Sequence, residues 1–116
     1  MADAPTAGTS ATLTAFDRDT AVRRVSRSDD GAAEKARFAA DVSAQWRAGR
    51  GPHGGYLAAM LLRALIDAVA DPRRAPRSLT IHYARAPQPG PVSIESTIER
   101  RGRSLSTLSA RMEQDG

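Results

Sequence analysis

The chain has 116 residues, of which 41% are hydrophobic and none is cysteine. That length suits one small domain with a single core, and the lack of cysteine excludes a disulfide framework or a thiolate metal site. Residues 1–10 lack the basic start and apolar stretch of a secretory signal, and no apolar run reaches the roughly 18 residues of a membrane span. We therefore expect a cytoplasmic protein that does not cross a membrane.

The chain is basic, with a net charge of +4, and Lys35 is the only lysine among its 17 basic residues. A positive charge of this kind suits the binding of nucleic acid or of a phosphate-bearing ligand. The arginines are scattered, however, and few aromatic residues lie near them in the sequence. We interpret most of them as solvated surface residues and expect no nucleic-acid partner.

The first third of the chain predicts a tail and two strands. Residues 1–12 are small and polar and predict a disordered tail, which leaves one domain at 13–116. Phe16 marks a short element, and residues 22–25 predict a short strand that leads to a turn at 28–31. Between residues 36 and 46 apolar and polar side chains alternate, which favours a half-buried strand, although the many alanines also permit a helix.

A glycine-rich loop then leads into a strongly apolar helix. Residues 48–55 hold four glycines and one proline, and Arg63 and Asp67 are the only charged residues between Gly55 and Ala70. Because those two residues are four apart, they predict an ion pair on the one wet stripe of the helix. A helix this apolar must be covered on nearly all sides.

Three further strands are predicted after the helix ends at Asp71-Pro72. Alternation marks them at 78–83, 92–99 and 107–112, with a rigid turn at 87–91 and a hairpin connection at 101–103. Leu105 is out of phase with the last strand, which predicts a bulge. The final Asp115-Gly116 has the form of a hairpin turn, so we expect a longer protein or a partner subunit to complete the sheet around the helix.

The junction of loop and helix is the strongest candidate for a ligand contact. A helix N-terminus presents free N–H groups and a partial positive charge, and glycine lets a carbonyl or phosphate approach that backbone closely. The candidate residues are His53, Gly54, Gly55 and Tyr56. The alternative is that Gly54 and Gly55 serve only the tight packing of the helix against the sheet.

Several separated segments of the chain resemble the N-terminal half of the acyl-CoA thioesterase-like, double-hotdog family. They lie around His53-Gly54-Gly55 within 46–64 and at 78–83, 87–92, 102–111 and 114–116. The resemblance covers residues 16–116. It implies an α+β hotdog fold, in which a curved antiparallel sheet wraps a central apolar helix at about 55–70, here as the first and incomplete repeat of two.

The resemblance also implies an activity, the hydrolysis of acyl-CoA thioesters to a free acid and coenzyme A. Coenzyme A would be part of the substrate, with no separate cofactor. In double-hotdog members the catalytic Asp, Gln and Thr or Ser lie in the second repeat, so we expect this half alone to be inactive or weakly active. We expect it to pair with a second hotdog repeat or with another copy. A non-catalytic module that binds an acyl chain or assembles subunits is the alternative.

For a thioester substrate, the N–H groups at the helix start become oxyanion donors and His53 orients a carbonyl or water. Trp46 is a candidate pocket residue. Arg50 and Arg103 are candidate contacts for the phosphates of coenzyme A, although surface solubility explains them as well.

The remaining polar residues carry no functional prediction. Asp67 lies three turns into the helix and is interpreted as one partner of a surface ion pair. His82 alternates with Ile81 and Tyr83 and is interpreted as a residue of the sheet face. Two histidines without an acidic cluster predict no metal site.

Overall fold

The computed structural model describes residues 13–31 and 33–115, so the predicted disordered tail at 1–12 lies outside the described residues. Within these residues, two helices and six strands follow one another in chain order. They are α1 (Ala15–Asp19), β1 (Arg23–Asp29), β2 (Glu34–Val42), β3 (Arg47–Ala48), β4 (Gly51–Pro52), α2 (Gly54–Val69), β5 (Gly90–Arg101) and β6 (Ser106–Glu113).

The four longer strands form one antiparallel sheet in the order β1-β2-β5-β6. Strand alternation places one row of apolar side chains on a single face, because successive residues of a strand point to opposite sides. In β2 and β5 the register pairs Phe38 with Ile94 and Ala40 with Val92. All four of these residues are buried.

Helix α2 covers that apolar face of the sheet. Its buried residues recur every three or four positions, as a helix packed on one side requires; they are Tyr56, Leu57, Met60, Ala64 and Ala68. Met60 and Ala64 are fully buried in the same core as Phe38 and Ile94. The predicted α+β architecture, an antiparallel sheet with one central helix packed against it, is therefore confirmed.

The long alternating stretch ends as a strand earlier than predicted. Strand β2 stops at Val42, not at Trp46, because the next backbone N–H, that of Ser43, donates to the hydroxyl of Tyr56 over 2.9 Å. The Ser43 hydroxyl then accepts from the N–H of Gln45 over 3.1 Å. These two bonds divert the backbone from the sheet into a turn.

The strand predicted at 78–83 is wrong. The described residues contain no strand between the end of α2 and Gly90, and Leu79 and Tyr83 are 41% and 58% exposed. Alternation predicts which side chains share a face, but a strand also needs a hydrogen-bonding neighbour. In the described sheet β5 and β6 lie directly beside each other, and this segment pairs with neither edge strand, β1 nor β6.

The predicted bulge is also in a different place. Leu105 lies outside β6 and is 60% exposed, whereas the ladder shifts register between Ile98 and Arg100 of β5. Leu105 closes the loop instead, since its carbonyl accepts from the N–H of Gly102 over 2.8 Å. A Cβ at position 102 would stand 2.7 Å from that carbonyl oxygen, so glycine is required there.

The helix prediction is confirmed, but its two charged residues do not pair with each other. Asp67 forms its ion pair with Arg24 of β1 over 3.1 Å. Arg63 donates to the carbonyl of Asp17 over 2.7 Å and to the hydroxyl of Thr20 over 2.8 Å. Within the described ranges, neither helix combines the length and apolar character needed to cross a bilayer.

Candidate functional site

The candidate site begins at a short hairpin that delivers the chain to the start of α2. Strand β3 pairs with β4, and Gly49 turns the chain between them with φ at 67°. The N–H of His53 then donates to the carbonyl of Trp46 over 2.8 Å. This geometry holds His53 at the N-cap position of α2.

His53 satisfies most of the free N–H groups of the helix start itself. Its Nδ1 accepts from the N–H of Gly55 over 2.9 Å. Its carbonyl accepts from the N–H groups of Tyr56 and Leu57 over 3.1 and 3.2 Å. Because Nδ1 is an acceptor, the neutral imidazole carries its proton on Nε2. The His53 ring is exposed, so this Nε2–H is a donor that solvent and ligands can reach.

Gly54 differs from its neighbours in keeping a backbone donor free. Its N–H makes no hydrogen bond to any described residue, whereas its carbonyl accepts from the Tyr83 hydroxyl over 2.8 Å. A Cβ at position 54 would lie 3.3 Å from the Tyr83 ring. The close contact fits the packing interpretation of this glycine, and the free N–H fits the ligand interpretation.

Tyr83 was not predicted from the sequence to be part of this site. Its alternation with Ile81 placed it on a sheet face, and nothing local in the sequence predicts that it meets a loop nearly thirty residues earlier. The bond from Tyr83 to Gly54 joins the segment after α2 to the start of the same helix. This bond brings the segment after α2 beside the candidate site.

Three aromatic rings stand behind the helix start. Trp46 stacks on Tyr56 with 6.0 Å between ring centroids, and Phe16 of α1 meets Trp46 edge-on at 5.1 Å. Such pairs add about 0.5–1.5 kcal/mol each beyond their buried area. Trp46 therefore packs against the core, while its half-buried position leaves part of the indole accessible.

The Tyr56 hydroxyl ties three segments together. It accepts from the Ser43 N–H over 2.9 Å and donates to the Asp19 carbonyl over 2.8 Å. Burial raises the pKa of Tyr56 above its ordinary value of 10.0 because an ionised phenol would lose its hydration. Tyr56 thus combines a helix-start position with a structural role.

A carboxylate that the sequence analysis missed also lies at this end of the molecule. Asp19 is half-buried, and its Oδ2 accepts from Nε1 of Trp46 over 2.8 Å. The aspartate ends α1, whose capping box at Thr14 and Asp17 was not recognised in the sequence. Asp19 positions the indole of Trp46 and is held by it.

The two arginines predicted to meet a phosphate lie at opposite ends of α2. Arg50 is exposed at the tip of the β3–β4 hairpin, three residues before His53. Arg103 is exposed in the β5–β6 loop, where its carbonyl accepts from Arg74 over 2.8 Å. Arg101 of the same region donates to the carbonyl of Val69, the last residue of α2, over 3.4 Å.

The other titratable candidates stand apart from the helix start. Asp67 is in a surface ion pair whose side chains are 42% and 45% exposed. His82 is exposed. Within 13–31 and 33–115 no three His, Asp or Glu side chains are grouped as a metal ion would require.

Comparison with known proteins identifies the family. No curated protein and no solved structure matches the chain. A family model described as the acyl-CoA thioesterase N-terminal domain matches residues 42–116, a span that includes the helix-start loop, α2 and strands β5 and β6. The chain therefore belongs to the acyl-CoA thioesterase N-terminal domain family, and its α+β fold is the hotdog fold.

Proposed function

We propose that this chain is one hotdog half of a hydrolase that cleaves acyl-CoA thioesters to a free acid and coenzyme A. The observation that carries the proposal is the pair of unused donors at the start of α2. They are the backbone N–H of Gly54 and the Nε2–H of His53.

These donors suit the charge that develops when a thioester is hydrolysed. The oxygen of water attacks the carbonyl carbon, and the carbonyl oxygen becomes an oxyanion before the C–S bond breaks and the sulfur leaves as a thiol. Donors aimed at that oxyanion stabilise the transition state more than the substrate. The Gly54 N–H also lies at the positive end of the helix dipole, which favours the same negative charge.

The group that activates water is proposed to come from outside this half. No Asp or Glu occurs between Ser43 and Ile66, and the nearby carboxylate, Asp19, is committed to Trp46. We propose that a second hotdog unit supplies a catalytic Asp, Gln and Thr or Ser. The family description as an N-terminal domain supports a further unit.

Partly exposed apolar residues on α2 support the proposal that another hotdog unit packs nearby. Ile66 is 47% exposed, and Leu62 and Leu65 are half-buried. A second repeat or a second copy of the chain would remove this surface from water. The cytoplasmic location stays a prediction from the sequence.

The decisive experiment measures hydrolysis of acyl-CoA esters of increasing chain length by this chain and by a longer protein that contains it. We expect turnover by the longer protein and little or none by the chain alone. In the longer protein, His53→Ala is expected to lower kcat about 10-fold to 100-fold. This effect is equal to or somewhat smaller than that of removing one oxyanion-hole donor from other hydrolases. Comparable turnover by the chain alone contradicts our placement of the catalytic residues.

A non-catalytic hotdog module is the second candidate. The observation in its favour is that two of the three predicted N–H donors, those of Gly55 and Tyr56, are already bonded to His53. Such a module would bind an acyl chain or assemble subunits without turnover. Binding of acyl-CoA by the longer protein without any hydrolysis would favour this candidate over the hydrolase.

A further inference from the structure

One end of the molecule carries cations without carboxylates in the same stretch of chain. No Asp or Glu occurs within 43–66 or within 72–94. The first stretch contains Arg47 and Arg50 shortly before the start of α2, and the second contains Arg85. All three side chains are exposed.

The fold brings these two stretches into contact. The Tyr83 hydroxyl donates to the Gly54 carbonyl over 2.8 Å. The hairpin also meets the second stretch at the residue after Arg50, since a Cβ at Gly51 would lie 3.1 Å from the Cβ of Ala86. Arg85 lies between these two contact points on its own segment. We call the group of Arg47, Arg50 and Arg85 the cationic rim.

The arginines of the cationic rim are not used to hold the structure by ion pairs. Among the described residues no carboxylate pairs with Arg47, Arg50 or Arg85, and Arg47 donates only to the Arg50 carbonyl, over 3.3 Å. Three unpaired guanidinium groups beside one helix start repel one another and attract an anion. Guanidinium groups bind phosphate oxygens in a bidentate manner.

The length of coenzyme A decides which arginines its phosphates can reach. About thirteen bonds separate the thioester sulfur from the first phosphorus, roughly 15 Å on the scale of an extended peptide. Helix α2 has 16 residues, so its two ends lie about 24 Å apart. A thioester held at Gly54 therefore puts its first phosphate about 15 Å away, less than the length of α2, which favours arginines on the loops at the near end of the helix over Arg103 at the far end.

We infer that the cationic rim is the binding subsite for the phosphorylated nucleotide end of coenzyme A, with Arg50 and Arg85 as its principal contacts. The inference rests on the proposed function, because it takes the thioester to lie at Gly54. By this inference, the arginines at the other end of α2 do not contact the diphosphate of the same coenzyme A.

Calorimetric titration of this chain with coenzyme A, adenosine 3′,5′-bisphosphate and pantetheine tests the inference. Arg50→Gln and Arg85→Gln are each expected to weaken coenzyme A and the bisphosphate about tenfold, the effect of one lost charge-assisted contact. Pantetheine carries no phosphate, so its affinity is expected to stay unchanged. Higher salt is expected to weaken coenzyme A in the unsubstituted chain more than in either variant.

Arg100→Gln is the matched control, because Arg100 is exposed near Gly102 at the other end of α2. It removes the same charge and is expected to leave coenzyme A affinity unchanged. Equal weakening by Arg100→Gln or Arg103→Gln overturns the inference, and so does the absence of coenzyme A binding. Binding of an acylated carrier protein with the same arginine dependence, but no binding of the bisphosphate, also overturns it.

Hydrolysis by the longer protein separates this inference from the proposed function. If the longer protein hydrolyses acyl-CoA but Arg50→Gln and Arg85→Gln leave its KM unchanged, the proposed function stands and the rim subsite is wrong. If coenzyme A binds through the rim but no thioester is cleaved, the subsite stands and the hydrolase is wrong.

Discussion

The two ends of helix α2 use polar residues in opposite ways. At the C-terminal end, Arg74 donates to the carbonyls of Gly102 and Arg103 and to the Ser106 hydroxyl, and Arg101 pairs bidentately with Glu34 over 3.1 and 3.2 Å. At the N-terminal end the structural bonds come from a phenol and an imidazole. No carboxylate within 13–31 or 33–115 pairs with Arg47, Arg50 or Arg85 there.

This difference shows that the surroundings, not the residue type, decide what an arginine does. The C-terminal end of a helix has free carbonyls and partial negative charge, which suit cations. Here Arg101 donates to one of them, that of Val69, whereas the carbonyls that accept from Arg74 belong to the β5–β6 loop. The N-terminal end presents N–H groups and partial positive charge, so an arginine there finds no helix carbonyl, and Arg47 donates instead to the Arg50 carbonyl within the hairpin. The same side chain is structural at one end and available to an anionic ligand at the other.

The largest expected effect concerns the phenol at the N-terminal end. Tyr56→Phe removes the hydroxyl that joins Ser43 to Asp19 and leaves two half-buried backbone groups without a partner, so unfolding should become easier by about 2–3 kcal/mol. Urea denaturation measures the change. Tyr83→Phe, which removes one exposed hydroxyl, is the control and is expected to cost less than 1 kcal/mol. Equal losses in the two variants would mean that Tyr56 does not join these segments.

The same substitution should alter the stability of the protein in alkali. The pKa of Tyr56 is raised by burial, so its stabilising contribution is complete below the unfolded pKa of about 10 and is lost as the pH rises through the folded pKa. In Tyr56→Phe this loss should be smaller.

The next largest effect concerns Arg74, which holds the β5–β6 loop at the C-terminal end of α2. Arg74 is only 23% exposed, and Arg74→Gln removes its bonds to two carbonyls, so we expect a loss of about 2 kcal/mol in the free energy of unfolding. Arg50→Gln, at the free end, is expected to cost less than about 0.5 kcal/mol. Thermal unfolding of the two variants tests the contrast between the ends directly. If Arg50→Gln lowers the free energy of unfolding more than Arg74→Gln does, the contrast between the two ends is wrong.

A smaller gain is expected where α2 stops. Ala70 caps the helix with φ at 55°, a left-handed conformation that alanine adopts at a cost. Ala70→Gly relieves that cost, about 1–2 kcal/mol, against an entropic loss of about 0.5–1 kcal/mol for glycine. We expect a net gain of about 0.5–1 kcal/mol, seen as a rise in Tm of a few degrees. Ala68→Gly, inside the helix, is the control and should lower Tm.

The smallest effect is a pH dependence at the C-terminal end. The hydrogen bonds from Arg101 hold the pKa of Glu34 below its ordinary value of 4.5. A lowered carboxyl pKa stabilises the fold above the unfolded pKa and loses that stability as the pH falls through the folded pKa. Glu34→Gln should therefore flatten the loss of stability below about pH 4.5. The effect is small because both side chains are more than a third exposed.

The sequence predicted the core well and the site in part. Alternation in residues 36–42 and 92–98 and the apolar run of α2 are local patterns, and the structure buries the residues that those patterns select. The loop around His53 was identified because glycines before an apolar run predict a helix start. Tyr83 and Asp19 were missed because each reaches the site from a distant segment.

The sequence by itself determined the periodicities, and with them the apolar sheet face, the central helix and the position of His53 at its start. Such patterns depend on neighbours within a few residues, so they survive without knowledge of the fold. Only the tertiary structure decided the partners of Arg63 and Asp67, the irregular course of 78–83 and the contrast between Arg50 and Arg103. Those outcomes depend on which distant segments come together, and no local spacing encodes that.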